Sequence, residues 1–474
     1  MLSCTTLLEA NTKPVTTANF SSLPLRTEEL ANIQSLGYLT MTPIQAQSLP
    51  TILEGKDLLA QAKTGSGKTA AFAIGLLHKL EITTYKVQAM ILCPTRELAD
   101  QVTNEIRRLA RSISNTKIVT LCGGKSMAPQ LASMEHQPHI IVGTPGRILK
   151  HMDKGSLKLD DLKILVLDEA DRMLDMGFHE EIMRVIKMVP HKRQTLLFSA
   201  TYPNEIKKIS NAIQINPIDV RIESLHDDKK IRQIFYEIIP GERTKTLITL
   251  LRHYQPESSL VFCNTKQQCQ DLVSELRQQD FHALALHGDL EQRDRDQVLV
   301  QFSNKSCSIL IATDVAARGL DIKELHVVIN FELSPDPEIH IHRIGRTGRA
   351  DKEGVALSMF IRSEKFRVEA IEKYKKSPLK INKLASLSIK KNIKFYPKMV
   401  TLCINAGRKD KMRAGDILGA LTGNTELTGN QIGKIDIFDK LAYVAVEHAI
   451  SRKALEVLSE GKIKGRMFKI RRLR

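Results

Sequence analysis

The stretch Gln61-Ala62-Lys63-Thr64-Gly65-Ser66-Gly67-Lys68-Thr69 closes a short apolar run and opens a helix-like one. Glycines at 65 and 67 let backbone N–H groups turn toward phosphate oxygens, with Thr64 and Ser66 in the same loop. Lys68 can reach the β- and γ-phosphates of a nucleotide, and Thr69 can place its hydroxyl on Mg2+. Ala62 stands where the general phosphate-loop pattern has its first glycine. Further along, Ile164-Leu165-Val166-Leu167 ends in Asp168-Glu169-Ala170-Asp171. A carboxylate at a strand's C-terminal end beside a phosphate loop is placed to hold Mg2+, the role assigned to Asp168, while Glu169 can orient or deprotonate an attacking water. Two acids after a strand also suit a solvated loop; the phosphate loop's need for carboxylates favours chemistry.

Two smaller signals point the same way. Gln45, in Thr42-Pro43-Ile44-Gln45, carries a donor and an acceptor that match the edge of adenine, and Phe20 can stack on that ring. Each alone reads equally as a surface amide or a core ring. Near residue 345, His342-Arg343-Ile344-Gly345-Arg346-Thr347-Gly348-Arg349 holds three arginines interleaved with glycines. Arginines that reach phosphates bound by another domain supply charge only when the cleft closes. A solvated basic loop is the plainer alternative.

These residues need scaffolds, and the chain has length for two or three domains: 474 residues, 42% hydrophobic and 26% charged, a composition that excludes global disorder. Short apolar runs at 57–61, 86–93, 117–122, 139–142, 163–167 and 194–198, each followed by a helix-like stretch, predict a parallel sheet covered by helices. Open sheets of this kind bind ligands at the strands' C-terminal ends, where the motifs fall. A second α/β unit has runs at 259–262, 283–286, 308–311, 326–329 and 355–360. It resembles the first in architecture without a convincing residue-by-residue repeat. The expected organisation is a flexible lead-in over 1–18, a first domain over 19–216, a linker over 217–230, a second domain over 231–361, a helical and lysine-rich linker over 362–398 and a small domain over 399–474. The last has strands near 401–404, 433–438, 442–446 and 467–473 and helices near 414–421 and 451–460, a split β-α-β-β-α-β unit.

Charge is uneven. Of the net +17, residues 375–474 hold +15, so the body is near neutral and the C-terminal end reads as a polyanion-binding attachment, or more plainly as a solubilising tail. Seven cysteines, without a Cys-x-x-Cys pair, suit a reducing compartment with inert thiols. No basic segment leads a long apolar core at the N-terminus and no window approaches eighteen apolar residues, so a cytoplasmic protein is expected, with no membrane span.

Taken together, the motifs resemble those of the DEAD-box RNA helicases from Phe20 to about residue 360. Phe20, Gly37 and 42–45 are similar to the family's adenine-recognising segment, and 62–69 to its phosphate loop, including the alanine. Pro94-Thr95-Arg96-Glu97-Leu98-Ala99, Gly123-Gly124, Thr144-Pro145-Gly146-Arg147, Asp168 to Asp171 and Ser199-Ala200-Thr201 follow in family order. Val261-Phe262-Cys263-Asn264, His287-Gly288-Asp289, Ala312-Thr313-Asp314 through Asp321, and 342–349 complete the set. The resemblance implies an α/β fold of two tandem RecA-like parallel-sheet domains and an RNA-stimulated ATPase using ATP and Mg2+. It implies that Arg96, Gly124, Thr144 and Arg147, with Asn264, Arg295 and Thr313, hold the RNA backbone. Asp321 would contact the ribose, Arg346 and Arg349 would be the arginine fingers, and Ser199, Thr201 and His342 would couple ATP state to RNA state. Three positions depart from the family's usual residues: Met41, Glu332 and His340.

Residues 399–474 resemble the RNA-binding domain of DbpA-type helicases, a modified RRM, a small α+β fold. That likeness rests on 401–407, 412–423, Ile432-Gly433-Lys434-Ile435 and Gly461-Lys462-Ile463-Lys464-Gly465. It implies a hairpin of large-subunit ribosomal RNA and its adjacent duplex as partner, within pre-ribosomal particles, with no obligate protein partner evident. An ordinary RRM sheet displays aromatics for base stacking, but the two central strands here supply only Tyr443. Arg408, Lys409, Lys411 and Arg413, with Lys462 and Lys464, offer an alternative RNA surface, or ordinary solubility. A clamp that grips RNA without needing to unwind it, and a DNA-directed enzyme, are the competing readings.

Overall fold

The computed structural model describes residues 18–63, 65–124, 126–202, 204–222, 231–317, 325–348, 353–387, 397–423 and 425–473. Three expected site residues, Thr64, Asp321 and Arg349, lie outside them, as does nearly all of the expected lead-in. The chain divides into two compact units after Leu225.

The first unit is built on seven parallel strands: β1 (Leu58–Gln61), β2 (Ala89–Leu92), β3 (Ile118–Leu121), β4 (Ile140–Gly143), β5 (Ile164–Asp168), β6 (Gln194–Ser199) and β7 (Ile218–Arg221), in the order β3-β4-β2-β5-β6-β1-β7. Alternate residues feed two cores. Ala60, Ile91, Val142, Val166 and Phe198 pack on one face and Leu59, Met90, Ile141, Leu165 and Leu197 on the other. A sheet covered on both faces needs strands that are apolar throughout, the cause of the continuous runs in the sequence. The helix Lys68–His78 is apolar almost all round because it is buried. Its Gly75 lets the helix Pro43–Leu53 come close, since a Cβ there would sit 2.3 Å from the Ile52 methyl.

Strand β7 lies inside the expected linker 217–230. It pairs with β1 at the sheet edge, and with only Val220 of its four residues buried, it leaves almost no apolar signal.

The second unit holds another parallel sheet: β8 (Ile231–Glu237), β9 (Ser259–Cys263), β10 (Ala283–Leu286), β11 (Ile309–Thr313), β12 (Val327–Asn330), β13 (Gly354–Phe360) and β14 (Ile381–Asn382), in the order β10-β11-β9-β12-β13-β8-β14. Strand by strand this is the first sheet's order. The expected linker 362–398 is in part integral to this domain. The helix Lys365–Lys375 buries Val368 and Ile371 against Phe235, Leu333 and Phe360, and β14 pairs with β8. Lysines crowding an amphipathic helix conceal those two apolar positions.

A four-stranded antiparallel sheet follows: β15 (Met399–Ile404), β16 (Ile432–Ile437), β17 (Ala442–Glu447) and β18 (Ile470–Arg472), in the order β16-β17-β15-β18, with helices Ala414–Thr422 and Ser451–Glu460. This is the RRM arrangement. Val400, Leu402 and Ile404 of β15 and Val444 and Val446 of β17 face Ile417, Leu421, Ala454 and Leu458 of the helices. The intervening Cys403 and Tyr443, paired across the strands, face the other way.

Candidate functional site

Strands β5, β6 and β1 are neighbours, and their register sets Gln61 beside Ser199 and Asp168 beside Phe198. Three motifs distant in sequence thus emerge at one sheet end. After β1 the chain turns through Gly65 and Gly67, whose φ angles of 83° and 98° lie in the left-handed region. A Cβ at Gly67 would stand 2.6 Å from the Gln45 amide nitrogen. Gln45 therefore braces the loop: its nitrogen donates to the Gly67 carbonyl at 3.2 Å and its oxygen accepts from the Thr42 N–H at 2.9 Å. Phe20 is buried edge-on to Tyr38, with 6.3 Å between ring centres.

Lys68 begins the helix, buried, its ammonium donating to the Ala62 carbonyl; Thr69 follows, half-buried. Burial pulls Lys68 below the ordinary lysine range, and Asp168, Glu169 and Asp171 oppose the shift. Burial, and then the neighbouring Glu169, push the Asp168 carboxyl up to about 7 against the pull of Lys68. Both effects mark a site short of charge compensation, as expected where polyphosphate and a cation are to enter. Glu169 has a φ of 54° and is gripped by Arg172, its carboxylate 2.5 Å from the guanidinium. The hydroxyls of Thr42, Ser66 and Ser199 are buried without a hydrogen-bond partner among the described residues. Such groups cost free energy unless a ligand or water satisfies them.

Asp171 makes a set of contacts that sequence reasoning did not anticipate. One of its oxygens accepts from the Ala200 N–H at 3.1 Å and from the Thr201 N–H and hydroxyl at 3.0 Å. The carboxylate pair after β5 is thereby wired to the turn after β6. The available signal was a run of backbone donors leaving β6 that needed an acceptor.

Arg96, Gly124, Thr144 and Arg147 gather at the same end of the sheet, beyond β2, β3 and β4. The Arg96 guanidinium donates to the Gly123 carbonyl, and a Cβ at Gly124 would collide with it. Thr144 precedes the helix Pro145–Asp153, and the Arg147 N–H donates to its carbonyl at 3.1 Å. Nucleotide candidates thus occupy the β5-β6-β1 half and RNA candidates the β3-β4-β2 half.

In the second unit, Asn264 and Thr313 lie just past or at the ends of β9 and β11, and Arg295 is on the helix Gln292–Ser303 with its guanidinium 2.9 Å from the Ala316 carbonyl. Arg343 is the hub here. It is fully buried and forms a two-pronged pair with Asp314 at 2.6 and 2.7 Å, while donating to the Glu332 carbonyl at 2.6 Å and the Asn264 side-chain oxygen at 3.0 Å. It also lies over the Phe262 ring, 5.1 Å from its centre. Of the arginines in 343–349, this one is thus committed to the domain's own interior. Arg346 is buried just beyond the helix Pro337–Ile344, which carries a half-buried His342. His340 on that helix is fully buried, with neither ring nitrogen partnered among the described residues. Burial, and then Arg343, push it down to about 3.

In the C-terminal domain, Arg408, Lys409, Lys411 and Arg413 are exposed in the loop after β15, and Lys462 and Lys464 in the turn before β18. The Lys464 ammonium donates to the Lys411 carbonyl at 3.0 Å and stands 3.5 Å from Asp416, merging the two segments into one basic surface. Among the described residues, no group of three or more His, Cys, Asp and Glu is arranged to hold a metal, and no helix is long and apolar enough to cross a membrane. The six described cysteines are buried and unbridged.

The chain matches three family models: DEAD/DEAH box helicase over residues 42–209, helicase conserved C-terminal domain over 242–351, and DbpA RNA binding domain over 401–472. It is 52% identical over 446 residues to the ATP-dependent RNA helicase DbpA of Escherichia coli, covering 94% of this chain and 97% of that protein. Against the DbpA of Bacillus subtilis it is 35% identical, over 96% of this chain and 99% of the relative. Among solved structures it is similar to Saccharomyces cerevisiae Dbp5 bound to RNA and ADP BeF3, with a TM-score of 0.71 and 29% identity over 77% of this chain and 96% of the other. With its phosphate loop, paired carboxylates and basic C-terminal domain accounted for, the chain belongs to the DEAD-box family of ATP-dependent RNA helicases, in the branch that carries a DbpA-type RNA-binding domain.

Proposed function

We propose that the enzyme couples Mg2+-dependent ATP hydrolysis to local separation of short RNA duplexes beside a hairpin of large-subunit ribosomal RNA, acting in the cytoplasm on pre-ribosomal particles. The targeting rests chiefly on one observation, the merging of residues 408–413 and 462–464 into a single exposed basic surface pinned by Lys464. A folded RNA presents phosphates from two directions, and a surface joined from two loops suits it better than a linear basic tail.

The residues fit Mg2+. Asp168 offers a buried carboxylate and Thr69 a hydroxyl at the head of the phosphate helix. Mg2+ characteristically takes one or two protein groups plus phosphates and waters rather than a protein cage. Once bound, it would neutralise charge on the β- and γ-phosphates. Lys68 would exchange the Ala62 carbonyl for phosphate oxygen, and Ser66 would find its missing partner there. Glu169, steadied by Arg172, would hold the attacking water. Arg346 and Arg349 would supply charge from the second domain, with Asp321 on the ribose, while Asp171 would pass the state of the site to Ser199 and Thr201. Arg96, Gly124, Thr144, Arg147, Asn264, Arg295 and Thr313 would grip RNA backbone, which carries little sequence information. Each base-pair step costs roughly 1–2 kcal/mol to unstack, so short duplexes are the natural substrates.

The test compares ATP turnover with a large-subunit rRNA fragment, the same fragment with its hairpin scrambled, and poly(A). Half-maximal stimulation is expected at a concentration about tenfold or more lower for the intact fragment, a difference of about 1.4 kcal/mol. Equal stimulation by all three would remove the targeting claim and leave the ATPase intact.

A further inference from the structure

A buried chain of side-chain hydrogen bonds joins two groups of RNA-backbone candidates in the first domain. Gly124 sits in the turn that leaves β3, and Thr144 and Arg147 stand where β4 passes into the helix Pro145–Asp153. Strand β3 is at the edge of its sheet and pairs on one side only, with β4. That ladder closes with the Thr144 N–H donating to the Leu121 carbonyl at 3.1 Å. The next carbonyl, that of buried Cys122, lies past the ladder and needs another donor. It accepts from the Gln130 side-chain nitrogen at 3.0 Å, on the helix Ala128–Met134. The Gln130 oxygen in turn faces the His151 Nε2 at 3.2 Å, and the His151 Nδ1 lies 2.9 Å from the Ser156 hydroxyl.

The protons of this chain are fixed by its ends. A backbone carbonyl only accepts, so the Gln130 nitrogen must point to Cys122 and its oxygen to His151. That oxygen only accepts as well, so the His151 Nε2 carries a hydrogen. Burial, and then Arg147 and Lys154, pull His151 below the ordinary histidine range, so at neutral pH the ring is uncharged and its Nδ1 accepts from Ser156. Gln130 and His151 are both buried, His151 entirely. Apolar residues of similar size would fill the same space; a satisfied polar chain adds direction and rigidity. Arg147 lies one helical turn before His151, about 6 Å along the axis. The Arg96 guanidinium donates to the Gly123 carbonyl. The turn at Gly124, whose φ of 71° is in the left-handed region, is thus held through both carbonyls that precede it.

We propose that Gln130 and His151 are positioning residues for RNA: the chain from His151 through Gln130 to the Cys122 carbonyl locks the Gly123–Gly124 turn to the helix that carries Thr144 and Arg147, so that both segments meet one strand's backbone with their spacing already set. The two side chains act through the backbone they hold. A pre-set spacing lowers the ordering cost of binding, and its loss weakens the grip on the strand without slowing the chemistry. This rests on the reading of Gly124, Thr144 and Arg147 as backbone contacts.

The test measures binding of a fluorescent oligo(U) strand to the full-length protein with a non-hydrolysable ATP analogue over a range of KCl concentrations, beside RNA-stimulated ATP turnover. Gln130→Leu and His151→Leu are expected to weaken binding about tenfold, and to reduce the slope of log affinity against log salt by about 0.7 for each phosphate contact given up. KM for RNA should rise with kcat at saturating RNA unchanged. His151→Gln, whose amide nitrogen reaches the place of Nε2, should restore affinity and slope, whereas His151→Asn, whose nitrogen reaches the place of Nδ1, should not. Loss of packing alone lowers the folded fraction and leaves the salt slope as it was, so the slope separates positioning from stability. Should a leucine variant fail to fold, the glutamine and asparagine pair carries the comparison. An unaltered slope in folded Gln130→Leu, or equal slopes in His151→Gln and His151→Asn, overturns the proposal. Arg147→Ala tests the underlying reading and should itself reduce the slope by about 0.7. If it does not, the contact reading fails for that residue, and the slope of Gln130→Leu still decides whether the chain serves RNA binding.

Discussion

At the end of β5 two carboxylates, Asp168 and Glu169, stand buried beside Lys68 and Arg172, and Asp168 is pushed up to about 7. At the end of β12, the strand in the matching place of the second sheet, the charges are satisfied internally. There Arg343 binds Asp314, the Glu332 carbonyl and Asn264 together. The two sheets share one strand order and differ in what their strand ends leave undone. In the first, hydroxyls of Ser66 and Ser199 are buried without partners among the described residues, and a lysine rests on a backbone carbonyl. Such an edge is completed by a ligand. The second is completed by its own arginine, and so serves as a stiff platform from which other groups can be presented. One topology supports a reactive lobe and a rigid one through the choice of a few residues at strand ends.

The sharpest way to break this contrast is Lys68→Ala, which should lower RNA-stimulated ATP turnover about a thousandfold, some 4 kcal/mol of barrier, without lowering the thermal midpoint of the nucleotide-free protein. Arg343→Met should do the reverse. Removing one partner of a buried charge pair costs about 3 kcal/mol or more, and hydrogen exchange should place the loss in β8 to β13 and leave β1 to β6 protected. Loss of protection in both sheets alike would contradict the separation.

A smaller effect follows from His340, whose ring is held near 3 while the unfolded chain protonates near 6.5. Protons therefore favour the unfolded state between those values. The contribution of His340 is complete above pH 6.5 and is lost as pH falls, by about 1.4 kcal/mol per unit, or roughly 2 kcal/mol at pH 5. His340→Phe should reduce the difference in urea-unfolding stability between pH 7 and pH 5 by that amount; an unaltered difference would refute the assignment. Smallest are the paired caps. Thr95 accepts from the Leu98 N–H at 3.3 Å and Thr265 from the Gln268 N–H at 3.2 Å, each just after the second strand of its sheet. Thr95→Ala and Thr265→Ala should each cost about 1 kcal/mol, read by hydrogen exchange in its own domain only.

Those two caps also show where sequence reading stops. The apolar runs announced two similar sheets because strands buried on both faces must be apolar throughout. The correspondence between residues after matched strands, Thr95 and Thr265, is too sparse to stand out without the fold. The phosphate loop and the Asp168-Glu169 pair were legible because their chemistry demands contiguous residues. Asp171 and Arg343 were not, since each acts across a distance in sequence: Asp171 on Ala200 and Thr201, Arg343 on Asp314 and Asn264. Strands β7 and β14 escaped for a different reason. Edge strands bury one face at most and are short, so their alternation is hidden among charged neighbours.

A cleft of about 540 Å³ between the second RecA-like domain and the C-terminal domain, lined by Arg277, His282, His448 and Arg472 among others, has a pharmacological consequence. ATP pockets are shared by every member of a large enzyme family, which makes selective inhibitors hard to obtain. A compact anionic compound seated there would meet Arg277 and Arg472, with Asp280 beside them, on surfaces that take no part in the ATP pocket.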